Sequence, residues 1–169
     1  MRVRHHGRFP APPEVVFEAF TSPKLIVAKY HRLGHVDVRI IESRRQFGMV
    51  TIRSRREVPM AVPSFASRFF TPLTVVEVNE EWDPAAADGS RSGTWQVTAR
   101  GVPVTAGGTL RLMADGQGAT ERWVEGEVVC PMPGEEARLA EVMKADIERQ
   151  LADEDTFIVE WLRSNSELG

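Results

Sequence analysis

The stretch from Gly134 to about Ser164 reads as one long amphipathic helix, and no other part of the chain limits the fold as strongly. Leu139, Met143, Ile147 and Leu151 recur every four residues, and Val142, Phe157, Ile158, Trp161 and Leu162 widen and extend the stripe. Arg138, Glu141, Lys144, Glu148 and Arg149 fall on the other side, so one face is apolar and one is wet. About 29 residues from Glu135 to Arg163, at 1.5 Å each, make a rod of roughly 44 Å, long enough to cross a whole curved sheet. An apolar face of that length needs a sheet beneath it, and a long helix laid over a curved sheet roofs a cavity.

The rest of the chain supplies the sheet. Val3, His5, Gly7 and Phe9 alternate with Arg2, Arg4, His6 and Arg8 in an opening strand that stops at Pro10. Pro12-Pro13 presets a first short helix with Val16, Phe17 and Phe20 on its apolar side. Ser22 then caps a second, with Pro23 at its first position, Leu25, Ile26, Tyr30 and Leu33 at helical spacing, and Gly34 at its end. From Val36 the period becomes two, through Val38 and Ile40 and again through Val50 and Ile52, with Arg44-Arg45-Gln46 as the expected turn. Leu73 to Trp82, Thr94 to Ala99, Thr109 to Met113 and Arg122 to Val129 read as further strands, with Gly101 through Gly108 as a connecting loop. Between the strands, Val58 to Pro63 carries two prolines and Ser64 to Phe70 suits one or two helical turns, forming either a movable lid or a plug for the sheet end. The order implies an α+β fold: a curved antiparallel sheet of about seven strands, two short helices after strand 1, and a long C-terminal helix packed over the sheet and enclosing a cavity.

At 169 residues the chain fits a single domain, 1–169, that can fold without metals or disulfides. Its formal charge of −3 gives no general attraction to nucleic acid or anionic membranes, and Arg44, Arg45, Arg53, Arg55 and Arg56 read as a solvated sheet face. The lone Cys130, and the absence of a secretory apolar run after the charged start, point to the cytoplasm. No stretch approaches the ~18 apolar residues that stable membrane insertion requires.

Particular residues carry a resemblance. Ala11-Pro12-Pro13-Glu14-Val15-Val16-Phe17 is similar to the segment that follows the first strand in the START-like superfamily, also called SRPBCC or helix-grip, and the long terminal helix ending in Phe157 to Leu162 matches its closing element. Val62-Pro63-Ser64-Phe65-Ala66-Ser67-Arg68-Phe69, with Leu73-Thr74-Val75 and Glu81-Trp82, resembles an uncharacterised actinobacterial family within it. The superfamily includes lipid-transfer proteins, polyketide cyclases, hormone receptors and chaperone activators, so the resemblance implies a ligand cavity under the helix and leaves the chemistry open.

The residues themselves name no catalytic motif, cofactor or metal. His5 and His6 point to opposite faces of a strand, and His31 and His35 straddle the end of a helix with no third ligand. His5 is the best placed pocket histidine. Glu125 and Glu127 lie on the side of Trp123; if Trp123 faces the helix so do both carboxylates, and the opposite register turns Val124, Gly126 and Val128 inward instead. The aromatic residues suit binding better than catalysis. Trp82, Trp95 and Trp123 with Tyr30, Phe65, Phe69 and Phe157 make a pocket wall, and Met60 sits with Phe65 and Phe69 on the proline-bounded segment. Met143 and Ile147 come from the helical stripe, with Gln150 and Glu154 flanking it, and Glu127 and His5 complete the set of candidate ligand contacts. The expected function is binding or transport of a small hydrophobic or amphipathic molecule, lipid or polyketide-like, and the expected partner is that molecule, with a homodimer compatible with the chain. An enzyme of the cyclase or dehydratase kind, with Glu127 or His5 as base and Tyr30 as donor, and a protein-interaction module with a filled core are the alternatives.

Overall fold

The computed structural model describes residues 1–60, 64–67, 72–131, 134 and 136–168. Strand β1 (Arg2–Phe9) leads into helices α1 (Pro13–Thr21) and α2 (Pro23–Arg32). Strands β2 (Val36–Gln46), β3 (Met49–Pro59), β4 (Leu73–Trp82), β5 (Arg91–Ala99), β6 (Thr105–Ala114) and β7 (Thr120–Val129) follow, and α3 (Glu136–Leu168) closes the chain. All seven strands form one antiparallel sheet in the order β1-β7-β6-β5-β4-β3-β2. Each hairpin places its strands side by side, and the first strand returns to pair with the last. This is the α+β helix-grip architecture that the sequence implies.

The two short helices start where the prolines preset them, and the Ser22 side chain accepts a hydrogen bond from the Leu25 amide at 3.4 Å to cap α2. Helix α3 runs on past the expected end at Ser164 to Leu168. It packs along β1 and β7 and touches both short helices, so the inner faces of β3 to β6 lie beside it and are free to line a cavity. Leu139, Met143, Leu151, Ile158 and Leu162 are the buried stripe, and Ile158 and Leu139 are fully enclosed. Truncating a residue so enclosed costs about 2–5 kcal/mol, because the site collapses only in part.

Two local expectations are corrected. Arg44, Arg45 and Gln46 belong to β2, and the turn is one step later, at Phe47 and Gly48, both with positive φ (54° and 79°). Such a two-residue turn matches the twist of a hairpin, and Gly48 supplies one of the two left-handed positions without strain. Gly107 and Gly108 lie inside β6 rather than in a loop. Their place is explained by Trp95, which stands opposite Gly108, itself opposite Gly126 on β7. With no side chains at these positions, the indole lies flat across the sheet and its Nε1 donates to the Glu125 carbonyl at 3.1 Å. A Cβ on Gly126 would stand 2.6 Å from the indole Cζ2. Gly126→Ala is therefore expected to destabilise the protein by about 1–3 kcal/mol through overpacking and to change the tryptophan emission, both measured by urea unfolding followed by fluorescence.

Candidate functional site

Pleat alternation decides which side chains face α3. Val50, Ile52, Ser54, Arg56 and Val58 of β3 are all buried, and Arg122, Val124 and Val128 of β7 point the same way. The register of β7 is thus the one that turns Val124 inward. Trp123 and Glu127 lie on the outer face, away from the helix: Trp123 stacks on His6, with ring centroids 4.0 Å apart, and exposed Glu127 sits 3.4 Å from the N-terminal amine. Arg56 corrects the reading of the arginine run, because it is only 5% exposed while Arg53 stays on the wet face.

Between the sheet and α3 lies a cavity of about 70 Å³. Apolar side chains form most of its wall, among them Val76, Val97, Leu110, Val124 and Leu151. Of the residues expected from the sequence, Tyr30, Met60, Trp95, Met143, Ile147 and Gln150 line it together. Trp82 is buried beside it, edge-on to Phe17, and His5 is drawn away to Asp155. Phe157 is packed against the core, Phe65 lies under the Arg138 guanidinium at 3.7 Å, and neither lines the cavity. Phe69 lies outside the described residues, so the lid or plug expected there is not described beyond a short 3₁₀ turn at Ser64–Ala66.

The charged residues around the cavity were largely hidden in the sequence, and they give it its character. Glu154 on α3 accepts a hydrogen bond from the Tyr30 hydroxyl at 2.7 Å and pairs with Lys29 Nζ at 3.0 Å. Burial alone would push the Glu154 carboxyl up, but Lys29 and Arg122 outweigh it and hold it down at about 2. Burial likewise works against the Lys29 charge, and Glu154 reverses that effect, leaving Lys29 above its ordinary value. The next residue, Asp155, receives Arg122 Nη1 at 2.7 Å and stands 2.5 Å from His5 Nε2. A Cβ on Gly7 would collide with this carboxylate, so the glycine on β1 leaves the space that the carboxylate occupies. The Phe20 ring lies beneath both Lys29 and Arg122, at 5.2 and 4.3 Å.

Arg56 completes the polar side. Its guanidinium stacks on the Tyr30 ring at 3.7 Å, and it donates from Nε to His35 Nδ1 at 3.0 Å and from Nη2 to Gln150 Oε1 at 3.3 Å. Burial and then Arg56 lower the His35 pKa to about 4, so the ring is a neutral acceptor. Glu80 lines the cavity as well, and burial pushes its carboxyl up from the ordinary range against the pull of Lys29 and Arg122. Among the described residues no group of three or more His, Cys, Asp or Glu side chains is placed to hold a metal ion, and no helix is long and apolar enough to cross a membrane.

Comparison with known proteins agrees with this geometry. The family model "Protein of unknown function (DUF2505)" matches residues 4–162. The chain belongs to this family. No curated protein matches it. Among solved structures, the protein TTHA0849 from Thermus thermophilus superposes with a TM-score of 0.61 at 16% identity, covering 95% of this chain and 98% of that one. Ara h 8.0201 gives 0.61 at 12% identity over 97% and 98% of the two chains, and human STARD10 gives 0.60 at 7% identity over 98% and 66%. These likenesses place this DUF2505 member in the START-like, helix-grip fold that its sequence resembles.

Acid should weaken the fold in two stages. The folded pKa of His35 lies below its ordinary 6.5, so its contribution is complete above that pH and is lost as pH falls toward 4. Glu154 lies below its ordinary 4.5, so its contribution is present above 4.5 and is lost as pH falls toward 2. Thermal unfolding followed against pH should show both limbs, and His35→Gln should flatten the upper one. Lys29→Met leaves Glu154 buried without its cation and is expected to cost about 3–5 kcal/mol at pH 7 in urea unfolding.

Proposed function

We propose that this protein binds a small amphipathic molecule in the cavity between the concave sheet and α3. The observation that carries the reading is the division of the wall: apolar side chains from four strands and the helix on one part, and buried polar groups from α2, β3, β4, β7 and α3 on the other. A purely structural core has little use for Arg56, Glu80, Arg122 and Glu154 around one space, since each buried charge is costly. A binding site uses such groups to orient a molecule whose affinity comes from apolar burial.

A volume of about 70 Å³ is below the ~300 Å³ at which drug-sized pockets begin, so a ligand must widen the cavity as it enters. Met60 and Met143 are suited to yield, because an unbranched thioether has several rotamers of similar energy. The test is native mass spectrometry of the protein from its own host, followed by a thermal-shift panel of lipids and polyketide-like compounds. A stoichiometric adduct, or a melting temperature raised by one class of compound, supports the reading; a clean mass together with no shift from any compound refutes it. Ala99→Leu, which fills the cavity from the sheet, is expected to leave the unfolding temperature unchanged or raised while weakening binding at least about tenfold.

One observation favours a catalytic use of the same site. Glu80 is a cavity carboxyl whose proton affinity burial has raised, as a general acid or base requires. Glu127 is on the far face, and Tyr30 and His5 are engaged by Glu154 and Asp155, so Glu80 takes the place of the base expected from the sequence. If the bound compound is chemically altered on incubation, Glu80→Gln should abolish the change and leave binding within about threefold; if the compound is recovered intact, this second reading is discarded.

A further inference from the structure

We propose that the ligand carries an anionic oxygen head group, such as a carboxylate, and that Arg56 is the residue that receives it. The proposal rests on the cavity-binding reading above and specifies which end of the ligand goes where.

Lys29 is paired with Glu154, and Arg122 with Asp155, each at 3.0 Å or less. Arg56 is as buried as they are, yet among the described residues it has no carboxylate within ion-pair distance. Asp146 and Glu154 both feel its charge, but Asp146 is already bound by Arg149 and Gln150 Nε2, and Glu154 by Lys29 and Tyr30. What Arg56 has instead are neutral partners, His35 and Gln150, on Nε and Nη2. Among the described residues Nη1 has no hydrogen-bond partner, although it is closed off from water.

A buried cation with an idle nitrogen is a costly arrangement, and the two other buried cations of this cluster each have a carboxylate. An incoming anionic oxygen would remove that cost, because a charge-assisted hydrogen bond at low dielectric is about twice as strong as a neutral one. The two neutral partners fix the guanidinium, and the Tyr30 ring supports it from below, so Nη1 is held in place before any ligand arrives. With the head group on Nη1, the alkyl part lies against Val97, Leu110 and Val124, which line the same cavity.

The experiment compares octanoate and dodecanoate with octanol and dodecanol at pH 7 by isothermal titration, with dodecyl phosphate as a further anion. Wild-type protein is expected to bind the carboxylates at least about tenfold tighter than the alcohols of equal length, and the preference should vanish in Arg56→Met and survive in part in Arg56→Lys. Dodecyl phosphate binding tighter than dodecanol shows that anionic charge is what Arg56 reads, whatever its source. Equal affinity for carboxylate and alcohol in the wild type, or a preference undiminished in a folded Arg56→Met, overturns the anchor and leaves the cavity reading standing. Failure of every amphiphile to bind overturns the anchor, and with a clean native mass and no shift across the compound panel it overturns the cavity reading as well. The wild-type comparison needs no variant and decides whether an anion is preferred; if Arg56→Met does not fold, the reduced preference expected in Arg56→Lys decides whether Arg56 is the anchor.

Discussion

Removing an ion from water costs several kcal/mol, and helix α3 buries two carboxylates in succession. Glu154 reaches α2 through Lys29 and Tyr30; Asp155 reaches β7 and β1 through Arg122 and His5. Consecutive residues on a helix diverge by about 100°, so one turn of α3 is tied to two different parts of the fold. Neither tie is productive unless the helix sits at one height and one rotation, because a buried charge missing its partner is penalised heavily. Apolar packing along Leu139, Leu151 and Ile158 supplies affinity between helix and sheet, but such packing tolerates sliding. The ionic pairs set the position, and that position leaves the inner faces of β3 to β7 as the wall of a cavity.

The same cluster accounts for the character of the site. Phe20 and Tyr30 underlie three cations, and the aromatic faces partly replace the water those cations lose. Two of the cations are neutralised by α3 and the third, Arg56, faces the cavity wall with neutral partners only. The cavity is therefore apolar over most of its wall, with Arg56, Arg122, Glu80, Asp146 and Glu154 on the rest, and Arg56 is the cation there without a carboxylate of its own. Cavities of that kind bind amphiphiles end-on, which is the reading advanced for this protein.

Much of the fold was legible before any coordinates. The α3 stripe, the proline-set short helices and the period-two strands all follow from local rules, and the order of elements left one architecture. The errors came where two local rules compete. Arg44-Arg45-Gln46 looks like a turn because it is charged, whereas backbone freedom at Gly48 decides the turn. Gly107-Gly108 looks like a loop because glycine usually marks one, whereas Trp95 needs a flat bed. In the site, Tyr30, Met60, Trp95, Met143, Ile147 and Gln150 could be named from apolar and helical pattern. Arg56 reads as solvated within its arginine run and Glu80 is not among the expected contacts, although alternation from Val50 to Val58 and from Val76 to Trp82 points both inward. A charge in an inward slot reads as an error in the pattern, and here it marks the site. The pairing partners across α3 lie more than a hundred residues away, and no local signal joins Lys29 to Glu154 or His5 to Asp155.

The central claim is that the space under α3 is where a ligand resides. Methyl-detected NMR of methionine- and isoleucine-labelled protein titrated with dodecanoate tests it most directly. The account predicts saturable shifts at Met60, Met143 and Ile147, with fully buried Ile158 and exposed Met49 unmoved. Shifts confined to Met49 and other outer residues, or none at any cavity methyl, would contradict it.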